Sequence, residues 1–373
     1  MNRDNRRTRP YGQRRLRIAF VNPPWFDVPS QAYGGIKLMA GDLIDALIDR
    51  GHDVILVGAG YNGTRARYLR TFEHTPSQRL GEPLPEILHA AWAGRYLEEL
   101  DVDVIHDHTL PGPLAARGRK APTVVTAHGT VTGEIGTYYE KISPDVCLVA
   151  ISNAQRRLGA EVTWGGTVHN AINVAEFTFQ PEKDNYVLFL GRFSPEEGAH
   201  LAIDAAIEAG RPILLAGKLQ EPLELAYFRA EIAPRLGEHA RFVGEADMWT
   251  KQKLAGRAHC LIFPVCWDEP FGMVMIEAMA CGTPVVALNC GSVPEVVADG
   301  VTGFILDDPA DLPAAIRKAA DLDPAACRSH VERNFDVTVM AAGYERVYAH
   351  AAAPHFQRGE HAAWPDQRRG GRG

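Results

Sequence analysis

The chain has 373 residues, with 39 Lys and Arg against 46 Asp and Glu, a formal net charge of -7. That balance argues against a nucleic-acid protein held by a broad cationic surface and favours a small-molecule partner. The length exceeds what one hydrophobic core usually organises, so two domains of about 150 residues are expected.

In chain order, the opening MNRDNRRTRPYGQRR (1–15) is rich in arginine and poor in apolar residues, and the closing PHFQRGEHAAWPDQRRGGRG (354–373) is similar. Neither buries enough surface to offset the entropy of ordering, so both are expected to be disordered tails, the first with at most peripheral membrane contact. Between them, β-branched runs alternate with helical segments, the pattern of a parallel sheet covered on both faces. The first series is LRIAFVN from Leu16, DVILVG from Asp53, VDVIHDH from Val102, TVVTAH from Thr123 and CLVAIS from Cys147. A polar stretch, VAEFTFQPEKDN, follows Asn173, and the rhythm resumes with YVLFLG, PILLAG, RFVG, CLIFP, TPVVAL and TGFIL. The chain is therefore read as α/β, with Rossmann-like domains over 16–173 and 182–335 and a last helix over 337–351 packing back on the first. The helix IKLMAGDLIDALIDRG starts after Gly34 and Gly35 and stops at Gly51, a residue suited to the left-handed position past a helix end.

Six cysteines, Cys147, Cys260, Cys266, Cys281, Cys290 and Cys327, lie mostly in apolar stretches without a C-x-x-C pair. Such usage fits buried thiols in a reducing compartment. With no apolar leader and no run of about 18 apolar residues, a cytoplasmic location is expected.

In open α/β sheets, ligands bind beyond the carboxyl ends of the strands, where helix N-termini point amides at anions. The first such loop, PPWFDVPSQAYGGIK, ends in Gly34 and Gly35, which let a phosphate or sugar approach the backbone. Its Trp25, Phe26 and Tyr33 form either an apolar acceptor surface or core packing. No G-x-G-x-x-G follows the first strand, which disfavours a nicotinamide dehydrogenase. In CWDEPFGMVMIEAMACGTPVVAL, Glu269 and Glu277 lie eight positions apart around Gly272, Met273 and Val274. Three free amides at a helix start suit a phosphate, and the two carboxylates accept hydrogen bonds from sugar or ribose hydroxyls. His128 ends a strand, while His106, Asp107 and His108 form a second polar cluster. Asp101 and Asp103 precede a strand, where a turn role is ordinary, and no metal site is assigned to them or to Asp107.

The segment from Cys266 to Leu288 resembles the donor-site motif of family 4 of the retaining glycosyltransferases, which have the GT-B architecture. The resemblance implies that Glu269 contacts the donor sugar, that Phe271, Gly272 and Met273 supply backbone amides, and that Glu277 holds the ribose. GRFSPEEG resembles the family's phosphate segment, in which Arg192 clamps the diphosphate through its guanidinium fork. The family has lysine where this chain has Glu197. Either Glu197 points away, or another cation, Lys218, substitutes, or the donor is weakly bound. By the same resemblance His128 lies near the transferred sugar, Val243 and Gly244 meet the base, and Ser152 and Asn170 border the cleft, with Asn173 where the family more often has aspartate. The activity this resemblance implies is that of a metal-independent, retaining transferase with no cofactor beyond a nucleotide-sugar donor, expected to be a UDP-sugar, and a small-molecule, saccharide or lipid acceptor. A nucleotide-sugar 2-epimerase of the same architecture and a donor-binding protein without turnover are the alternatives.

Overall fold

The structure, a computed structural model, describes residues 15–29 and 35–353. The expected tails, Tyr33 and Gly34 lie outside the described residues, apart from Arg15. The chain divides into two compact units, the first holding 15–29, Ile36–His169 and 340–353 and the second Gly35 and Asn170–Val339.

The first unit is built on a seven-stranded parallel sheet: β1 (Arg17–Val21), β2 (Asp53–Ala59), β3 (Arg67–Phe72), β4 (Val104–Asp107), β5 (Thr123–Ala127), β6 (Cys147–Ala150) and β7 (Trp164–Thr167). Their order is β3-β2-β1-β4-β5-β6-β7, with Phe20 opposite His106 and Ala127 opposite Ala150. The helices are α1 (Gly35–Asp49), α2 (Pro83–Glu99), α3 (Gly133–Ile142) and α4 (Asn153–Leu158). Strands β4, β5 and β6 are buried throughout, as a sheet covered on both faces requires. The edge strands β3 and β7 were not anticipated. RYLRTF carries two arginines and has no buried residue, while WGGT carries two glycines, of which Gly165 has no room for a side chain because an added Cβ would meet Cys147 Sγ at 2.3 Å.

Helix α1 ends at Gly51, whose φ is +92°. The Gly51 amide bonds to Ile48 and that of His52 to Leu47, a Schellman closure that uses two otherwise orphaned carbonyls.

The second unit carries a six-stranded parallel sheet of β8 (Val187–Leu190), β9 (Ile213–Ala216), β10 (Ala240–Phe242), β11 (Cys260–Phe263), β12 (Val285–Leu288) and β13 (Gly303–Leu306). Its order, β10-β9-β8-β11-β12-β13, is the Rossmann winding, which reverses between β8 and β11. The helices are α5 (Ala199–Glu208), α6 (Pro222–Tyr227), α7 (Met248–Arg257), α8 (Met273–Ala280), α9 (Val293–Val296), α10 (Leu312–Lys318) and α11 (Pro324–Asn334).

The chain enters and leaves the second unit through paired segments. The Ile172 amide bonds to Phe335 O at 3.0 Å, and the Val337 amide bonds back to Ile172 O at 2.9 Å. The last helix, α12 (Val337–Ala351), buries Met340, Ala341, Tyr344, Val347, Tyr348 and Ala351 at helical spacing. Within the first unit it bonds through Tyr344 to Thr126 (2.8 Å) and through Tyr348 to His106 (2.9 Å). Among the described residues no helix is long and apolar enough to cross a membrane.

Candidate functional site

At the switch point of the second sheet, a cavity of about 190 Å³ opens beyond the carboxyl ends of β8, β9 and β11. Leu190, Gly191, Arg192, Glu197, Lys218, Phe263, Glu269, Gly272, Met273 and Val274 line it. The loops converge because glycines let backbones touch: a Cβ on Gly217 would lie 1.9 Å from Gly191 O.

Arg192 donates from Nε and Nη2 to Glu197 Oε1 at 3.2 and 3.0 Å. The arginine is 58% exposed and the glutamate side chain only 10%. Glu197 therefore does not point away; it stands in the cavity as the partner of the residue expected to clamp a diphosphate. The backbone holds it there. Gly198 is left-handed (φ +73°), a Cβ on it would meet Pro264 O at 2.3 Å, and the Cys266 amide bonds to Glu196 O at 2.7 Å. Burial pushes the Glu197 carboxyl up, against the pull of Arg192. Lys218 reaches the same cavity, with Nζ 3.9 Å from Glu221 Oε1.

Glu269 Oε1 accepts the amides of Phe271 (3.2 Å) and Gly272 (3.0 Å). Two of the amides expected to be free for a phosphate are thus taken by the carboxylate just ahead of α8, a side chain close enough in sequence to cap the turn. Met273 and Val274 remain in the lining. Burial pushes the Glu269 carboxyl up, the Phe271 amide lowers it, Glu197 raises it further, and the Gly272 amide lowers it. Gly272 is itself left-handed (φ +74°), and an added Cβ would crowd Met275 at 2.6 Å.

Glu277 departs from the expectation. It is 2% exposed on α8, outside the cavity lining, and Lys251 Nζ of α7 sits 2.7 Å from both of its oxygens. The sequence reading missed Lys251, although buried carboxylates require a cation. Val243 is exposed and donates its amide to Leu215 O, and Gly244 O accepts from Gly217. Ser194 Oγ and Trp267 Nε1, on the loops framing the cavity, are buried without a partner among the described residues.

The first unit has its own polar cluster at the switch point between β1 and β4. His106 uses both ring nitrogens, on Tyr348 and Thr126 (2.9 Å each), and is buried, so it lines no open surface. Asp107 is likewise structural, pairing with Arg119 at 2.8 Å and accepting from Thr109. Asp103 accepts the Arg17 amide, and Asp101 lies 3.8 Å from the Arg17 side chain. Among the described residues no three His, Cys, Asp or Glu converge to hold a metal ion.

His108 Nδ1 and His128 Nε2 are 2.8 Å apart, with stacked rings, while His108 Nε2 and His128 Nδ1 are buried without a partner among the described residues. Burial lowers all three histidines, His128 to about 4, so they are neutral near pH 7. A neutral hydrogen-bonded pair presents one N–H and one bare nitrogen at its outer ends, whichever tautomer holds. Gln155, also missed from sequence, fixes the turn bearing His128 by donating to Ala127 O (2.8 Å) and Gly129 O (2.6 Å). Ser152 caps α4 through the Gln155 amide, Asn170 is buried, and Asn173 bonds to Glu176. Trp25 is buried and packs in the core, and Gly35 opens α1.

Two Rossmann-wound units, one with arginine, lysine and glutamate gathered at its switch point, define a GT-B glycosyltransferase. The model for glycosyl transferases group 1 matches residues 173–332 and that for glycosyltransferase family 4 matches residues 33–164. The phosphatidyl-myo-inositol mannosyltransferase of Mycolicibacterium smegmatis is 30% identical, over 89% of this chain and 93% of that protein. A glycogen synthase of Mycobacterium tuberculosis is 27% identical over 94% and 97%. The crystal structure of AviGT4, a glycosyltransferase involved in avilamycin A biosynthesis, superposes with a TM-score of 0.70 at 26% identity, covering 91% of this chain and 98% of that one. The chain belongs to the group 1, family 4 glycosyltransferases and is a transferase.

Proposed function

We propose that this enzyme binds a nucleotide-sugar donor, a UDP-sugar in the first instance, in the cavity of the second unit. It moves the sugar, with retention and without a metal ion, to a hydroxyl of a small-molecule, saccharide or lipid acceptor. The reaction is placed in the cytoplasm, with at most peripheral membrane contact and no nucleic-acid partner. The observation that carries this reading is the convergence of Arg192, Lys218 and Glu269 on one cavity beside the start of α8.

Arg192 and Lys218 face the diphosphate, whose charge grows as the bond from C1 to the phosphate oxygen breaks. Glu269, held by two amides, accepts hydrogen bonds from sugar hydroxyls. In a front-face transfer the acceptor oxygen bonds to C1 on the side the diphosphate leaves, and the departing phosphate oxygen takes the acceptor's proton. The protein then works by positioning and charge stabilisation. In the first unit, the His108–His128 pair offers a hydroxyl one donor and one acceptor. Glu277 is assigned to the ribose, and Val243 and Gly244 to the base, on the resemblance of their segments to those of the family.

Calorimetry with UDP, GDP, ADP and dTDP in a chelator tests the donor site. One nucleotide is expected to bind selectively and to weaken at least about tenfold in Arg192→Ala, the scale of one charge-assisted contact. No binding to the unmodified enzyme, or equal binding to the variant, would overturn the assignment. Acceptor-dependent release of the nucleotide diphosphate tests turnover.

A further inference from the structure

Glu197 stands where a donor diphosphate needs a cation, and it already occupies the guanidinium that would grip that diphosphate. We propose that Glu197 is a proton-linked donor ligand: it holds Arg192 in the empty site and takes up one proton when a nucleotide sugar binds, becoming a hydrogen-bond donor to the phosphate. This inference rests on the donor site proposed above.

Three observations carry it. The backbone that carries the carboxylate is fixed, because the left-handed Gly198 lies against Pro264 O and the Cys266 amide bonds to Glu196 O. An added Cβ at Gly191 would lie 3.2 Å from Glu197 Oε2, so the other oxygen is packed against the loop that carries Arg192. The charges also cancel before any ligand arrives. The groups facing Glu197 are Arg192 from the loop after β8, Lys218 from that after β9, Glu269 from that after β11, and its neighbour Glu196, while Phe263, Gly272, Met273 and Val274 bring no charge. Two cations and two carboxylates in the cavity leave nothing to offset a diphosphate, and a fixed carboxylate against phosphate oxygens is repulsive unless protonated.

The proton goes to Glu197 in preference to Glu269. Glu269 keeps two amide donors that favour its charged form whether or not a ligand is present. Glu197 depends on Arg192, an exposed arginine that a diphosphate draws away. Neutral Glu197 gives its proton to a hydrogen bond with a phosphate oxygen and frees both Arg192 donors. The exchange is an equilibrium protonation from solvent.

The test is calorimetry of UDP-glucose, GDP-mannose and ADP-glucose, whose esterified phosphates do not titrate near neutrality, in two buffers of different protonation enthalpy from pH 5.5 to 8.5. For the one that binds most tightly, uptake of about one proton is expected. Affinity should fall up to about tenfold per pH unit on the alkaline side, the limit for one linked proton. Glu197→Gln should abolish the uptake, flatten the pH profile and bind about tenfold or more tighter at pH 8. Glu197→Lys should also be flat, and Glu269→Gln should keep the uptake. Binding without proton uptake, a persisting slope in Glu197→Gln, or loss of uptake in Glu269→Gln overturns the inference and leaves the donor site standing. No nucleotide sugar binding to the unmodified enzyme, to Glu197→Gln or to Glu197→Lys overturns both.

Discussion

Glu277 and Lys251 are each almost fully buried and neutralise one another. Removing one partner leaves the other charged in a dry site, so Glu277→Ala should cost about 3–5 kcal/mol in urea unfolding. Glu277→Leu combined with Lys251→Met should recover most of that, because an apolar pair of similar volume avoids the desolvation cost. Nucleotide affinity of the double variant then reads the role of Glu277 without the instability, and a loss of tenfold or more assigns it to ribose. Gly198→Ala should cost more than about 1 kcal/mol, since it forces a side chain into left-handed backbone against Pro264, and should weaken donor binding in the same titration. These residues mark how far the sequence was readable at this scale. Arg192 and Glu269 were legible through the family resemblance of their segments, on loops that follow apolar strands, and Lys218 as the cation to replace the lysine missing at Glu197. The direction of Glu197 was not, because it depends on the backbone of the next residue. His106 was read as an open polar group because its partner Tyr348 lies far along the chain, and Asp107 because nothing in its segment marks Arg119 as the cation it meets.

Every interior strand could be read, since continuous apolar runs leave few other structures open, and so could the second sheet's edges β10 and β13. The edge strands β3 and β7 have no such run, and pairing on one side only relaxes the demand on composition. The stripe on α12 shows the same logic for a helix: Tyr344 and Tyr348 are buried over the polar ends of Thr126 and His106. Tyr348→Phe should cost about 1 kcal/mol, the net value of one hydrogen bond, and Tyr348→Ala about 3–5 kcal/mol for the lost ring. Denaturant unfolding monitored in the first unit separates the two, and equal costs would mean the hydroxyl carries the contact.

Over the whole molecule, the buried histidines govern acid stability. His128 and His89 are held down near 4, and His106 and His108 well below their usual value, chiefly by burial. The unfolded chain protonates below about 6.5 where the folded one does not. Their contribution is therefore complete above that pH and is lost as pH falls towards about 4, at up to about 1.4 kcal/mol per pH unit for each histidine. Glu197 and Glu269 act in the opposite sense, because their raised carboxyls hold protons in the folded state that the unfolded chain has released. Unfolding free energies at pH 7.5, 6.0 and 5.0 should show a falling trend that His128→Asn reduces by about one proton. An identical slope in the variant would show that His128 titrates like a solvated imidazole.

The backbone pairing of Ile172 with Phe335 and Val337 makes the second unit an insertion in the first. About 170 residues separate His169 from Met340. During synthesis the sheet of the first unit leaves the ribosome without α12, and at about 5–20 residues per second it waits roughly 10–30 s for that helix. Through that interval His106 and Thr126 present an uncovered polar and aromatic face. The inserted unit, whose two ends are already tied together, is under no such delay, so the later half of the chain is placed to mature before the earlier half is finished.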